Sequence, residues 1–231
     1  MLPHAEIHET YTKINTLYMR DTKGKTILGE FSRPEFKYLY DVLWLAFEKV
    51  DGTNLSCYWD GHDIQYHGKT ENYAFPPQLL AKMQELLPME KLAKVFPLKY
   101  DENGNEIPFI VKIYGEGYGD KIQKHGNRYI KNDVNFTVFD IKINDFWLEW
   151  DSVVDICNKL EISHVVPFGE LTLREAEKMV KKGFKSPISE DKELFSEGLV
   201  LRPLVQFFNR KGERVMVKIK TCDYRKLGIL E

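Results

Sequence analysis

A lysine at the end of an apolar run is the first residue in this chain that could do chemistry. Val42-Leu43-Trp44-Leu45-Ala46-Phe47 leads into Glu48-Lys49, then into Val50-Asp51-Gly52-Thr53-Asn54. The run at 42–47 reads as a buried strand, and Asp51-Gly52 as a tight turn behind it. Lys is seldom buried unless it is paired or working. An amine held beside other cations can give up its proton near neutral pH and become a nucleophile. The plainer alternative is a lysine that reaches solvent at a strand end.

Four more charged residues stand where a core pattern predicts apolar ones. Glu116 lies between Gly115 and Gly117, where the backbone can approach a ligand closely. Glu197 precedes Gly198-Leu199-Val200-Leu201-Arg202, a buried-looking strand with an acid at its mouth. In Val215-Met216-Val217-Lys218-Ile219-Lys220 the alternation puts Lys218 and Lys220 on one face and Val217 and Ile219 on the other. Taken singly, each also reads as a loop acid, an exposed strand end or a charged edge strand. The cluster Lys121, Lys124, His125, Arg128 and Lys131, with Tyr129 among them, reads either as a solvated loop or as a basic contact surface.

The elements that must position these residues follow from periodicity and turn signals. A polar stretch fills 1–41, with a short helix over 35–40 behind Arg33-Pro34. Strands at 54–59 and 63–67 flank Asp60-Gly61, a hairpin. Pro76-Pro77 opens a helix on which Leu79, Leu80, Met83, Leu86 and Leu87 keep helical spacing, and a second helix covers 89–96. A strand spans 108–114, and 115–119 is too rich in glycine for regular structure. Strands at 136–143 and 147–150 pair across Asn144-Asp145, and Asp151 or Ser152 caps a helix running to Leu160. Thr172 and Glu175 form a capping box for a helix that stops at Gly183. Strands at 198–202, 204–208 and 214–220 close the chain. The pattern predicts one α+β domain over 1–231, built mainly on antiparallel strands.

Composition narrows the function classes. Hydrophobic residues make up 43% and charged residues 29%, and the formal net charge of −2 excludes a whole-surface grip on nucleic acid. The start of the chain has no apolar core of the signal-peptide kind, and no run approaches a membrane span, so a cytoplasmic protein with no membrane partner is expected. Cys57, Cys157 and Cys222 are odd in number and far apart, which fits free thiols in a reducing compartment.

Taken together and in order, the charged motifs resemble those of the ATP-dependent polynucleotide ligases, and within them the RNA ligase branch typified by phage and RNA-editing ligases. Motif I corresponds to Lys49-Val50-Asp51-Gly52, extended by Thr53-Asn54 as in RNA ligases. Motif III corresponds to Tyr114-Gly115-Glu116-Gly117, and motif IIIa to Phe136-Thr137-Val138-Phe139-Asp140-Ile141. Motif IV corresponds to Glu197-Gly198-Leu199-Val200 and motif V to Val217-Lys218-Ile219-Lys220. The set runs from 48 to 220, nearly the whole chain.

The resemblance implies an antiparallel-sheet nucleotidyltransferase (adenylation) domain of the ATP-grasp-like ligase type. It implies ATP and Mg2+ (or Mn2+) as cofactors, with Lys49 attacking the α-phosphate to form lysyl-AMP. Lys218, Lys220 and Glu197 join Lys49 as catalytic residues. The nucleotide is held by Glu48, Asp51, Gly52, Asn54, Glu116 on the ribose, and Phe139 on the base, with Phe136 the alternative ring. Glu197 and Asp51 are the expected metal ligands. RNA ends, as single strands or a nicked duplex, are the expected partner, met by Asn54, Lys69, Lys121, Lys124 and Arg128. Lys69 stands where phage RNA ligases carry an arginine, so it keeps the charge and loses the bidentate fork. Eleven residues follow Lys220, too few for an oligonucleotide-binding domain. Two functions are therefore expected: a ligase that seals 5′-phosphate to 3′-hydroxyl ends, or a self-adenylating, RNA-end-binding module that relies on a partner protein.

Overall fold

The strand that delivers the lysine, Leu43–Glu48, sits inside a five-stranded sheet in a computed structural model that describes residues 9–70 and 73–230. The polar stretch 1–8 lies outside the described residues. By its internal contacts the chain falls into two compact units, one of residues 1–11 and 52–164, the other of 12–51 and 165–231.

In the second unit the sheet order is Asn15–Thr16, Val217–Lys220, Gly198–Pro203, Leu43–Glu48, Pro167–Thr172. The pairs are antiparallel except the first, where Asn15–Thr16 runs parallel to Val217–Lys218. The apolar face packs Trp44, Ala46, Leu199, Leu201, Val217 and Ile219 against the helix Leu173–Lys182 through Leu173, Ala176 and Val180. That helix begins as expected, with Thr172 and Glu175 capping each other's backbone N–H groups, and ends at Gly183. Such a box contributes about 1 kcal/mol. Gly198 has φ +148, and a Cβ there would lie 2.0 Å from the Ile219 carbonyl oxygen, so no other residue fits beside that strand.

In the first unit the order is Phe146–Trp147, Val134–Ile143, Val111–Gly119, Thr53–Trp59, Ile64–His67, all antiparallel. One face, carrying Leu55, Cys57, Trp59, Val111, Ile113, Phe136 and Ile141, is covered by the helices Pro77–Leu86, Met89–Val95 and Trp150–Leu160. The antiparallel α+β expectation is met, as are the hairpin, the capping box and the alternation in motif V.

Several local expectations need correction. Residues 115–119 are regular: they form the second half of the strand Val111–Gly119. Their glycines make room for neighbours, since a Cβ on Gly115 would meet the Phe136 ring at 2.4 Å and one on Gly117 would meet Leu79 Cδ2 at 2.6 Å. Val42 and Leu43 are 46% and 43% exposed, so the buried run begins at Trp44. The helix ending at Leu160 starts at Trp150 with Glu149 as its N-cap, which shortens the preceding strand to Phe146–Trp147. The stretch 204–208 is not a strand; only Phe208 bridges Arg214. The strand Pro167–Thr172 went unpredicted because a proline and a bulge at Phe168 interrupt its alternation.

Candidate active site

In the second unit, three strand ends bring Lys49, Glu197 and Lys220 together. Lys49 N–H donates to the Gly198 carbonyl at 2.8 Å, which fixes the residue after Leu43–Glu48 beside the mouth of Gly198–Pro203. Gly198 lies opposite Lys220 across the next ladder. Lys49 Nζ donates to Glu197 Oε2 at 2.5 Å, and Lys220 Nζ donates to Glu197 Oε1 at 2.5 Å. One carboxylate thus bridges two lysines, each side chain about a fifth to a quarter exposed.

Burial works to raise the Glu197 carboxyl. The Lys49 charge and hydrogen bonds from both lysines outweigh it and hold the group below the usual carboxylate range. Lys220 is raised, because Glu197 overcomes the opposing effect of burial. Lys218 behaves oppositely: burial first, then Lys220, Lys49, Lys13 and Arg20, push it down to about 8. Lys49, Lys218 and Lys220 thus gather around the Glu197 carboxylate, a field suited to a group carrying several negative charges. Glu48, one residue back, is buried, and Asp51 is half-buried.

Sequence reasoning missed two cations here. Lys13 precedes the strand Asn15–Thr16 that pairs with Val217–Lys218, and Arg20 donates to both oxygens of Asp223 at 2.8 and 3.0 Å. Both belong to a polar stretch with no periodicity, so only the pairing in space reveals them.

In the first unit, Asn54 lies directly opposite Glu116, so their side chains share a sheet face. Gly52 packs under them: a Cβ there would lie 2.3 Å from the Gly117 oxygen and 2.8 Å from Glu116 Cγ. The Gly52 carbonyl accepts from Gln123 Nε2 at 3.0 Å, which ties the loop bearing Lys121 and Lys124 to motif I. Lys121 (φ +62) and Lys124 are exposed, and Arg128 is half-buried on the one-turn helix Gly126–Tyr129. Lys69 is exposed in a bend after Gly68.

The two candidate aromatic residues of motif IIIa part company. Phe136 is fully buried in the core behind Gly115, whereas Phe139 is the bulged residue of its strand and half-buried, with the Tyr11 ring 5.0 Å away edge-on.

Among the described residues no cluster of three or more His, Cys, Asp and Glu could hold a metal ion. Glu197 has both oxygens engaged by lysines. A hard cation there would have to displace one of those lysines and draw most of its ligands from phosphate and water.

The fold, antiparallel sheets with helices packed on one face, is that of an RNA ligase nucleotidyltransferase domain. It is similar to Naegleria gruberi RNA ligase: one mutant with ATP and Mn aligns with a TM-score of 0.60 at 19% identity, over 84% of this chain and 54% of that one. A second mutant with ATP and Mn gives 0.60 at 20%, over 93% and 62%, and the ligase with PPi gives 0.60 at 20%, over 94% and 63%. The chain thus spans between about half and three fifths of the length of these proteins. No curated protein sequence matches it. Residues 42–220, more than half of the chain, match the RNA ligase family model, and the chain belongs to that family. Among the described residues no helix is long and apolar enough to cross a membrane.

Proposed function

We propose that this chain is an ATP-dependent RNA ligase that joins a 5′-phosphate to a 3′-hydroxyl through a lysyl-AMP intermediate. The observation that carries the reading is the Glu197 carboxylate bridging Lys49 and Lys220 at 2.5 Å each, with Lys218 beside them.

Lys49 is the nucleophile. Before attack its ammonium gives one proton to solvent water, because only the free amine carries a lone pair for phosphorus. The new N–P bond forms as the bond from the α-phosphorus to the leaving oxygen breaks, and pyrophosphate departs. Lys220 and Lys218 stabilise the charge that builds on the phosphates. Glu197, with Asp51, would hold a divalent cation, which supplies further neutralisation of that charge when bound. Glu116 and Asn54, side by side on their sheet face, would take the ribose and the RNA end, and Phe139 the base. Glu48 and Gly52 complete the nucleotide contacts.

In the second step an oxygen of the RNA 5′-phosphate attacks the lysyl-AMP phosphorus. A phosphoanhydride forms and Lys49 is released. In the third, a 3′-hydroxyl attacks the activated 5′-phosphate, AMP leaves, and the strand is sealed. Lys69, Lys121, Lys124 and Arg128 would meet the RNA backbone.

The test uses α-labelled ATP with Mg2+ or Mn2+, followed by denaturing electrophoresis of protein and RNA. The reading requires a labelled protein band, and a sealed product when 5′-phosphorylated RNA is added. A chain that labels itself and does not seal is a self-adenylating module that needs a partner. A chain that never labels refutes the reading.

A further inference from the structure

Between the strands bearing Glu197 and Lys220, the chain makes a small hairpin that the mechanism does not use. Phe208 bridges Arg214, Val215 N–H donates to the Phe207 carbonyl at 2.9 Å, and Asn209 N–H donates to the Glu213 carbonyl at 2.9 Å. The Asn209 side chain locks the turn by accepting from Lys211 N–H at 2.8 Å and Glu213 N–H at 3.0 Å. The hairpin is therefore a shaped element.

Its surface is unusual. Adjacent residues on extended backbone point to opposite faces, yet Phe207 and Phe208 are 43% and 53% exposed, and Leu204 and Val205 stand open before them. Contiguous exposed apolar side chains of this kind mark an interaction site. At the tip, Arg210 and Lys211 are exposed and have no ion pair among the described residues, whereas Glu213 is held by Asn209 and Arg33. Two open aromatic rings beside two exposed cations are what a single nucleic-acid strand takes: bases stack on the rings while the cations meet phosphates.

We infer that the 207–214 hairpin is a second contact for a single RNA strand, apart from the adenylation residues. This rests on the RNA ligase reading above. Lys220 lies five residues beyond Val215, so at about 3.3 Å per residue the two are at most about 17 Å apart. At about 3.4 Å per stacked nucleotide, the base of the hairpin lies within about five nucleotides of Lys220.

The test compares the parent with Phe207→Ala/Phe208→Ala and with Arg210→Ala/Lys211→Ala, using a fluorescent 5′-phosphorylated single-stranded RNA and a 5′-phosphorylated dinucleotide. Self-adenylation with ATP alone reports folding and the adenylation site, and should match the parent in both variants. The aromatic variant should bind the longer RNA at least about 30-fold more weakly. The basic variant should flatten the plot of log affinity against log salt by about 1.4 units. The dinucleotide should bind all three proteins alike. If the parent does not self-adenylate, the ligase reading itself fails. If the parent self-adenylates and both variants bind the longer RNA as it does, the hairpin inference is overturned and its apolar residues belong to a protein contact. Equal losses on the dinucleotide overturn it as well.

Discussion

Gly52→Ala should damage the first unit more than its size suggests, because of what the added methyl would meet. The new Cβ would lie 2.3 Å from the Gly117 carbonyl oxygen and 2.8 Å from Glu116 Cγ. Carbon and carbonyl oxygen approach no closer than about 3.3 Å. The strands Thr53–Trp59 and Val111–Gly119 must therefore part by about 1 Å where Thr53 pairs with Gly117. Backbone cannot swing aside as a side chain can, so the cost is about 2 kcal/mol. For a chain of this length that is a fall in Tm of about 4–8 °C. Gly117→Ala is the control: its Cβ would meet Leu79 Cδ2 at 2.6 Å and Leu55 Cδ1 at 2.8 Å, the ends of side chains that can rotate. It should cost about half as much. Thermal denaturation gives both numbers, and self-adenylation measured well below Tm should fall more for Gly52→Ala, which displaces Glu116. A Gly52→Ala protein as stable as the parent, or less affected than Gly117→Ala, would refute the close packing under Glu116.

Glu197→Gln should destabilise by about 1–2 kcal/mol in urea titration, since Lys49 and Lys220 lose their shared anion in a partly buried site. Because the Glu197 carboxyl is lowered from 4.5, its contribution is full above that pH and is lost as pH falls through the depressed value, so parent and variant should converge in acid. Lys218, pushed down to about 8, gains its proton more readily beside bound phosphate. Pyrophosphate affinity should therefore weaken as pH rises through about 8, and binding at that pH should take up protons, read by calorimetry in buffers of different ionisation enthalpy. Loss of the charged form in the fold also means stability rises with pH between about 8 and 10.5 for this group. Lys69→Ala and Lys124→Ala should keep self-adenylation and each flatten the salt dependence of RNA binding by about 0.7 units. Binding with the parent's slope would place the footprint elsewhere.

The sequence was most legible where a motif coincides with a strand end. Lys49 and Glu197 were readable because each is a charge abutting an apolar run, and Lys218 and Lys220 because alternation separated them from Val217 and Ile219. The glycines of 115–119 misled, since glycine signals both loops and tight strand packing, and only the Phe136 and Leu79 contacts distinguish the two. Lys13 and Arg20 carried no local signal, because their relevance comes from contacts some 200 residues away, where Asn15–Thr16 pairs with Val217–Lys218 and Arg20 meets Asp223. The aromatic choice in motif IIIa was equally hidden, because the bulge at Phe139 shifts which ring leaves the core.

The central claim is that Lys49 carries AMP. Intact-mass measurement after incubation with ATP and a divalent metal, followed by peptide mapping, tests it directly. One AMP should be found per chain, on the peptide containing Lys49, and Lys49→Ala should carry none while keeping the parent's denaturation profile. An adduct on another residue, or one that persists in Lys49→Ala, would contradict the account.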